Sequence, residues 1–206
     1  MARRTKAEAE GTRETILDAA EKLFFEQGVS RTTLEKIAVE AGVTRGAIYW
    51  HFQNKPALFN AMVERIRLPY HSMLEELDSL PELDPLMQIR ELMIRSLRMI
   101  GCSEQHHRVL TIVFYRCEYL DDLNPAVCKQ QEQEEVAHAI LERAFYRARQ
   151  AGLLNPIFDP TLATKALHAY MGGLIAHYLQ HPLEYDLSSH AAELVDVMLA
   201  GLKKTG

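Results

Sequence analysis

The sequence predicts an all-α protein of about nine helices. One observation behind this is that no alternating β-branched runs bounded by tight-turn dipeptides occur, so strands are not expected. A second is the recurrence of residues that begin and end helices, among them Asp-Pro and Asn-Pro pairs and isolated glycines. With 206 residues and 48% hydrophobic content, the chain can form a small domain joined to a larger one.

The first helix is predicted to begin at a capping-box pair, Thr5 and Glu8, and to end at Gly28. One of its faces has the i, i+3, i+4 spacing of a buried stripe. The members of that stripe are Ile16, Ala20, Leu23, Phe24 and Gln27.

Two short helices follow, with the segment AGVT between them. Thr32 and Glu35 form a second capping box for the helix that Gly42 stops, and Thr44 caps the next helix, which ends near His51. This arrangement predicts a helix-turn-helix. An ordinary pair of antiparallel helices gives the same pattern, so the spacing alone does not decide between DNA binding and simple packing.

Longer helices are predicted for the rest of the chain. Asn54 caps the fourth helix, and Pro69 inside that helix is expected to kink or break it. The later helices are expected from Asp84-Pro85 to Gly101, from Ser103 to near Asp121, from Asn124-Pro125 to Gly152, from Asp159-Pro160 to before Pro182, and from about Ser188 to near Lys204.

Composition and charge indicate a cytoplasmic protein with two parts. No run of about 18 apolar residues occurs, the N-terminus lacks the apolar segment of a signal peptide, and three cysteines suit a reducing compartment. Residues 1–55 carry nine Lys/Arg against eight Asp/Glu, whereas the remainder carries 14 against 20. We expect a helix-turn-helix domain over residues 1–55 and a second domain over residues 56–206.

The third helix has the residues that a DNA-reading helix needs. Ala47, Ile48 and Phe52 share one face and can pack against the first two helices. The opposite face carries Arg45, Gly46 and Tyr49. An arginine can contact guanine with two hydrogen bonds, a glycine allows close approach of the backbone, and a tyrosine hydroxyl can donate to phosphate.

The segment TTLEKIAVEAGVTRGAIYWHFQNKPALFNAM closely resembles the DNA-binding domain of the TetR family of bacterial repressors, and within it the AcrR-like repressors of multidrug efflux pumps. The likeness is strong over residues 3–65 and looser in DPLMQIRELMI, RVLTIVFYRCEY and AYMGGLIAHYL. It implies a ligand-responsive repressor that binds a palindromic operator in double-stranded DNA. Phe114, Tyr115 and Arg116 depart from relatives that have polar or His residues there, which leaves the identity of the effector open.

The resemblance also implies roles for particular residues. Those expected to hold phosphates are Thr33, Tyr49, His51 and Lys55, and those expected to meet the operator are Thr44, Arg45 and Gly46. Trp50 is expected to pack inward and orient the short helix, with direct contact to DNA as the alternative. Arg3, Arg4 and Lys6 are either an arm that touches the duplex or a solvated tail.

The second domain has apolar stripes that are either plain core or the wall of a ligand pocket. With the resemblance, a pocket for a hydrophobic, drug-like effector is the better interpretation. The candidate lining residues are Met93, Ser96, Leu97, Leu110, Phe114, Cys117, Ala137, Leu141, His168 and Met171. The small residues of the last two helices permit close helix approach, and the resemblance implies a homodimer formed by these helices.

Other classes of protein are weaker interpretations, and no enzyme activity, cofactor, metal or membrane partner is expected. His177 and His181 have the spacing of a metal pair but lack an evident carboxylate or thiolate partner. Cys117, with His106 and His107, lacks the orienting group that a thiol enzyme needs. The alternative from a different class is a ligand-binding or interaction protein that has lost DNA binding. The intact set of Arg45, Tyr49 and Lys55 argues against it, and a mobility-shift test on its own promoter region decides it.

Overall fold

The computed structural model describes residues 6–79, 84–117 and 124–204, with the backbone alone described for 77–79 and 124–133. Nine α-helices and one π-helical segment are present in these ranges. They are α1 Lys6–Gln27, α2 Leu34–Glu40, α3 Arg45–His51, α4 Lys55–Ser79, α5 Pro85–Cys102, α6 Glu104–Thr111, the π-helical segment Ile112–Arg116, α7 Asn124–Gln150, α8 Pro160–Gln180 and α9 Ala191–Leu202. The all-α prediction is confirmed.

Most helices begin at the predicted caps. The Thr44 hydroxyl accepts from the Ala47 N–H at 3.2 Å, and the Asn54 carboxamide oxygen accepts from the Ala57 N–H at 2.8 Å. The side chains of Asp84 and Asp159 cap α5 and α8, each followed by proline in the first turn. Side-chain acceptors at these positions satisfy N–H groups that have no partner inside the helix. Arg3, Arg4 and Thr5 lie outside the described residues.

The predicted capping box at Thr32 is wrong. The N-cap of α2 is Thr33, whose hydroxyl accepts from the Lys36 N–H at 3.3 Å. Thr32 is buried, and its hydroxyl donates to the carbonyl of Gly28 at 2.8 Å. The capping-box spacing to Glu35 favours Thr32 in the sequence, but either adjacent threonine can serve as an N-cap, and the burial of Thr32 in the turn after α1 makes Thr33 the cap.

Three helices end at the glycines predicted to stop them, whereas two others do not end where the sequence suggested. Gly28, Gly42 and Gly152 all have positive φ, as helix-ending glycines commonly do. α4 continues through Pro69 to Ser79, so the proline does not break it. The helical segment that begins at Glu104 ends at Arg116 and not near Asp121, because Cys117 is extended with φ −95° and ψ 96°.

The chain packs as two compact units, each with its own interior. The first holds the described residues up to Arg67 and those between Arg108 and Gln130, and the second holds the described residues within 68–107 and 131–206. In the first unit, the large side chains from α1 to α4 form one core with Val109 and Ile112. In the second, α5 packs on α9, where Arg90 contacts both carboxylate oxygens of Asp196 at 2.6 and 2.8 Å.

Candidate DNA-binding surface and effector domain

α3 is held against the first unit by one apolar face. Ile48 is completely buried and Phe52 nearly so, whereas Arg45, Gly46 and Tyr49 are exposed. The predicted division of this helix into an anchored and a free face is therefore confirmed. A helix of seven residues is too short to be stable alone, so this anchoring and the Thr44 cap together keep it formed.

Arg45 is at the centre of a small polar cluster on the free face. Its Nη2 donates to the Tyr49 hydroxyl at 3.4 Å, and its guanidinium carbon lies 5.5 Å from the centre of the Tyr49 ring. The same nitrogen lies 3.0 Å from Glu35 Oε1 on α2. The hydrogen bond to Tyr49 and the charge of Glu35 raise the pKa of Arg45 above its ordinary value.

Gly46 lies next to this cluster, and the folded chain does not itself require glycine there. A Cβ atom at this position would meet only the Thr44 hydroxyl, at 3.9 Å. The backbone is helical with negative φ, so a side chain would cause no strain. A ligand that approaches the backbone closely would account for the glycine.

The Lys55 side chain is partly buried and bonded within the protein, whereas a residue that only contacts phosphate would be freely exposed. Its ammonium group donates to the carbonyl of Val29 at 2.9 Å and to that of Thr32 at 3.1 Å. The first residue of α4 thus closes the turn that precedes α2. An ammonium has three N–H donors, so one stays available to an external acceptor. Sequence reasoning did not anticipate this bracing because no local pattern connects residues so distant in the chain.

Trp50 and His51 complete the surface at the end of α3. The prediction that Trp50 packs inward is wrong, since 72% of the residue is exposed. Trp50 is two positions beyond the buried Ile48, which places it on the other side of the helix. Its ring meets the His51 ring edge to face at 4.5 Å between centroids. The exposed indole adds a large apolar group to the surface beside Tyr49.

The segment from Arg108 through the π-helical segment belongs to the first unit, which no local sequence pattern indicates. Arg108 Nε donates to Glu21 Oε1 at 2.7 Å, and Glu21 is only 4% exposed. The Val29 N–H donates to the carbonyl of Arg116 at 3.1 Å. These contacts fasten the C-terminal half of α6, from Arg108, and the π-helical segment to α1 and to the turn after it.

The candidate pocket residues fall into three groups. Those buried within the second unit are Met93, Ser96, Leu97, Leu141 and Met171, and Ala137 is half-buried there. Leu110 and Cys117 pack against the core of the first unit. Phe114 and His168 are exposed. Ser96, the polar member of the buried group, donates to the carbonyl of Leu92 at 2.7 Å.

His168 contacts a second histidine. Its ring lies 4.4 Å from that of His138 on α7, with the two planes perpendicular. Burial, followed by the charge of His168, lowers the pKa of His138 below its ordinary value. The pair was missed because 30 residues separate its members in the sequence.

α8 and α9 have an open face of small side chains. A Cβ atom added at Gly172, Gly173 or Gly201 would meet nothing within 4 Å. Exposed Ala166 and Ala169 belong to the same helix as the first two of these glycines. A second helix could approach this face closely.

The structure also tests the two alternatives raised from sequence, a metal site at His177 and His181 and a reactive thiol at Cys117. Glu184 lies 3.7 Å from His177 and 3.4 Å from His181, so a carboxylate does adjoin the histidine pair. Among the described residues, however, no group of three or more His, Cys, Asp or Glu is placed to hold a metal ion. Burial raises the pKa of the Cys117 thiol, which is the opposite of what a nucleophile requires.

An anchored helix-turn-helix joined to a separate helical unit is the architecture of many DNA-binding regulators. The family model of bacterial regulatory proteins of the TetR family matches residues 16–62. The model of the MAATS-type transcriptional repressor C-terminal region matches residues 84–204. The chain belongs to the TetR family of transcriptional regulators.

Similar proteins include regulators of known pumps. The probable HTH-type transcriptional regulator ArpR of Pseudomonas putida is 38% identical over 98% of this chain and 97% of its own length. NalD, the secondary repressor of the MexAB-OprM multidrug efflux pump in Pseudomonas aeruginosa, is 40% identical, with a TM-score of 0.84 over 98% of this chain and 100% of that one. A SmeT–triclosan complex is 37% identical, with a TM-score of 0.81 over 95% and 93%.

Membrane crossing has no support in the part of the chain that the structure describes, since none of its helices is both long and apolar enough to span a bilayer.

Proposed function

We propose that this protein is a cytoplasmic, homodimeric repressor that binds a palindromic operator and is released from it by a hydrophobic small molecule. The observation that carries the proposal is the free face of α3, where Arg45, Gly46 and Tyr49 are exposed on a helix anchored by Ile48 and Phe52. An exposed arginine beside a glycine that the fold itself does not require is suited to a helix that enters the major groove.

Within this proposal the residues divide between reading bases and holding the backbone. Arg45 contacts a base edge, with Thr44 and Gly46 close to the operator. Thr33, Tyr49, His51 and Lys55 contact phosphates. Thr33 and Thr44 are N-caps of α2 and α3, and helix N-termini favour anions.

We propose that the effector binds in the second domain, over residues 56–206. The candidate contacts that lie together in the second unit are Met93, Ser96, Leu97, Ala137, Leu141, His168 and Met171. The buried members of the group favour an apolar ligand, and Ser96 supplies a polar group among them. SmeT, which is similar over nearly the whole chain, was solved with triclosan, a hydrophobic molecule.

Control of a multidrug efflux pump operon is the regulatory task that the relatives favour. NalD and SmeT are both described as repressors of such pumps. The alternative is a TetR-type regulator of another operon that responds to a different small molecule. The operator that the protein selects from its genome decides which operon is regulated, and the chemistry of the effector is the second property that distinguishes the two.

We assign dimerisation to α8 and α9. Their exposed alanines and glycines leave room for two helices of a second copy. A two-fold dimer presents two copies of α3, which explains why a palindromic site is expected.

Selection of genomic DNA by the purified protein tests the proposal. The protein is mixed with sheared DNA of its own genome, and the retained fragments are sequenced. We expect enrichment of one palindrome near the gene itself or near an efflux operon, confirmed by mobility shift on that promoter region. Uniform recovery of all fragments would contradict sequence-specific repression and favour a protein that has lost DNA binding.

A further inference from the structure

Glu35 on α2 contacts the guanidinium group that is proposed to read the operator. Its Oε1 lies 3.0 Å from Arg45 Nη2, the same nitrogen that donates to the Tyr49 hydroxyl. The guanidinium group is therefore held between a phenol ring and a carboxylate. From sequence, Glu35 has no expected role beyond the capping box with Thr32, and the N-cap of α2 is Thr33 instead.

Glu35 keeps its negative charge at neutral pH. A hydrogen bond from its own backbone N–H lowers the pKa of its carboxyl group below the ordinary value, and the charge of Arg45 and the Thr33 hydroxyl add to this effect. The residue also lies in the first turn of α2, where the helix dipole favours an anion. The side chains of Glu35 and Arg45 are 51% and 63% exposed, so the ion pair contributes little to folding.

An ionised carboxylate at this position affects DNA binding in two ways. It lies well within one Debye length of any phosphate or base that Arg45 can reach, so it opposes the approach of every duplex. It also competes with phosphates for the guanidinium group. A guanine edge is neutral and offers two acceptors to the guanidinium group, so the Glu35 carboxylate repels it less than it repels an anionic phosphate, which can also accept two hydrogen bonds.

We propose that Glu35 is a specificity-determining residue of the DNA-binding surface, which withholds Arg45 from phosphates and releases it to a base edge with two acceptors. This inference rests on the proposed function and adds to it a residue that selects against wrong DNA. Specificity that depends on penalising the wrong partner is a general strategy of selective binding sites.

Glu35→Gln tests the inference, and Glu40→Gln is the matched control. Glu40 is on the same helix, and its carboxylate pairs with Lys22 at 2.6 Å instead of with the recognition helix. Each substitution removes one negative charge from α2. Affinities of the full-length protein are measured at one salt concentration for the selected operator and for random duplex of equal length.

For Glu35→Gln we expect tighter binding to random DNA and an operator-to-random affinity ratio lower by about two- to fivefold, the size of an exposed ion pair. Glu40→Gln is expected to leave the ratio unchanged. Equal ratios for the two variants would overturn the inference.

The double variant tests whether Glu35 acts through Arg45. In an Arg45→Ala background, Glu35→Gln is expected to leave the affinity ratio unchanged, because the group that Glu35 restrains is gone. The same fall in both backgrounds would overturn the restraining mechanism. If the unmodified protein itself prefers no sequence, the proposed function fails, and that outcome is distinct from a failure of the role given to Glu35.

Discussion

The Lys55 ammonium group donates to the backbone carbonyl of Val29 at 2.9 Å, across 26 residues of sequence. A second bond, to the carbonyl of Thr32 at 3.1 Å, places the same group on both ends of the turn before α2. The side chain is partly buried, so water replaces these bonds poorly when the lysine is removed. Lys55 thus supports the helix-turn-helix and, by the proposed function, also touches phosphate.

Lys55→Ala is expected to lower the free energy of unfolding by about 1–3 kcal/mol, because it leaves two backbone carbonyls without their charged donor. Chemical denaturation of the full-length protein measures this. Lys22→Ala serves as the control, since its ion pair with Glu40 is exposed and is expected to contribute about 1 kcal/mol or less. Equal losses in the two variants would contradict the bracing role.

The same Lys55→Ala variant is expected to weaken binding to operator and random DNA alike. Loss of one phosphate contact per subunit lowers the magnitude of the salt slope by about 1 for each contact. Affinities are measured from low to physiological salt. An unchanged slope would mean that Lys55 only braces the fold.

Arg45→Ala is expected to reduce operator affinity by about 1–3 kcal/mol, with a smaller effect on random DNA, because a base contact with two hydrogen bonds is lost. Arg45→Lys is a second variant that separates the effect of the charge from that of the guanidinium geometry. It keeps the charge but lacks the planar fork, so it is expected to bind random DNA normally and the operator weakly. Equal losses of Arg45→Ala on both duplexes would remove the base-reading role.

Thr44→Val is expected to destabilise the protein by about 1 kcal/mol, because the Thr44 hydroxyl accepts the Ala47 N–H at 3.2 Å and valine cannot. Thr44→Ser keeps the acceptor and is expected to behave like the parent. Thermal unfolding of the three proteins gives the comparison. If Thr44→Ser and Thr44→Val lower the stability equally, the capping hydrogen bond does not account for the effect of Thr44 on stability.

His138 gives a pH dependence whose sign follows from its surroundings. Burial lowers its pKa from the ordinary 6.5, and the charges of His168 and Lys165 lower it further, while Glu134 and Glu142 oppose this. Its Nε2 is buried and has no hydrogen-bond partner among the described residues. The unfolded chain therefore binds a proton more readily, so this contribution to stability is complete above pH 6.5 and is lost as the pH falls toward the lower folded value.

His138→Gln is accordingly expected to flatten the decline in unfolding free energy below pH 6.5. Denaturation across pH 5 to 8 measures it, a range in which histidine titrates. His190→Gln is the control, because that histidine is exposed and lies beside the Glu193 carboxylate. A decline of the same steepness in the parent and in His138→Gln would contradict the assignment.

The sequence predicted well what local chemistry determines. Glycines at 28, 42 and 152 and side-chain caps such as Thr44 and Asn54 act on their own neighbours, and their helices begin and end as expected. Errors arose where tertiary contacts choose between equivalent local options. Thr32 and Thr33 are chemically alike, and only the burial of Thr32 makes Thr33 the cap.

The proposed DNA-binding surface follows the same rule. Helix periodicity predicts which face of α3 is exposed, and Arg45 and Tyr49 are exposed on it. The contacts of Lys55 with Val29, of Glu35 with Arg45 and of Glu21 with Arg108 depend on chain segments that meet only in the fold. The candidate effector contacts are the least predictable, since an apolar stripe has the same pattern in a core as in a ligand site.

Effector and operator are expected to oppose each other through α4, which is one helix from Lys55 beside the DNA-binding surface to Ser79. Ligand binding in the second domain is expected to favour a state in which the two copies of α3 no longer match the half-sites. The coupling equals the difference in ligand affinity between the two states, typically about 1–3 kcal/mol, and it is reciprocal. Saturating operator DNA must therefore weaken binding of an apolar drug such as triclosan by the same factor, about 5- to 150-fold.

Calorimetric titration of the drug with and without operator measures this, and a scrambled duplex of equal length is the control. Identical affinities in both titrations, for a drug that nonetheless induces the promoter in cells, would show that induction takes another route.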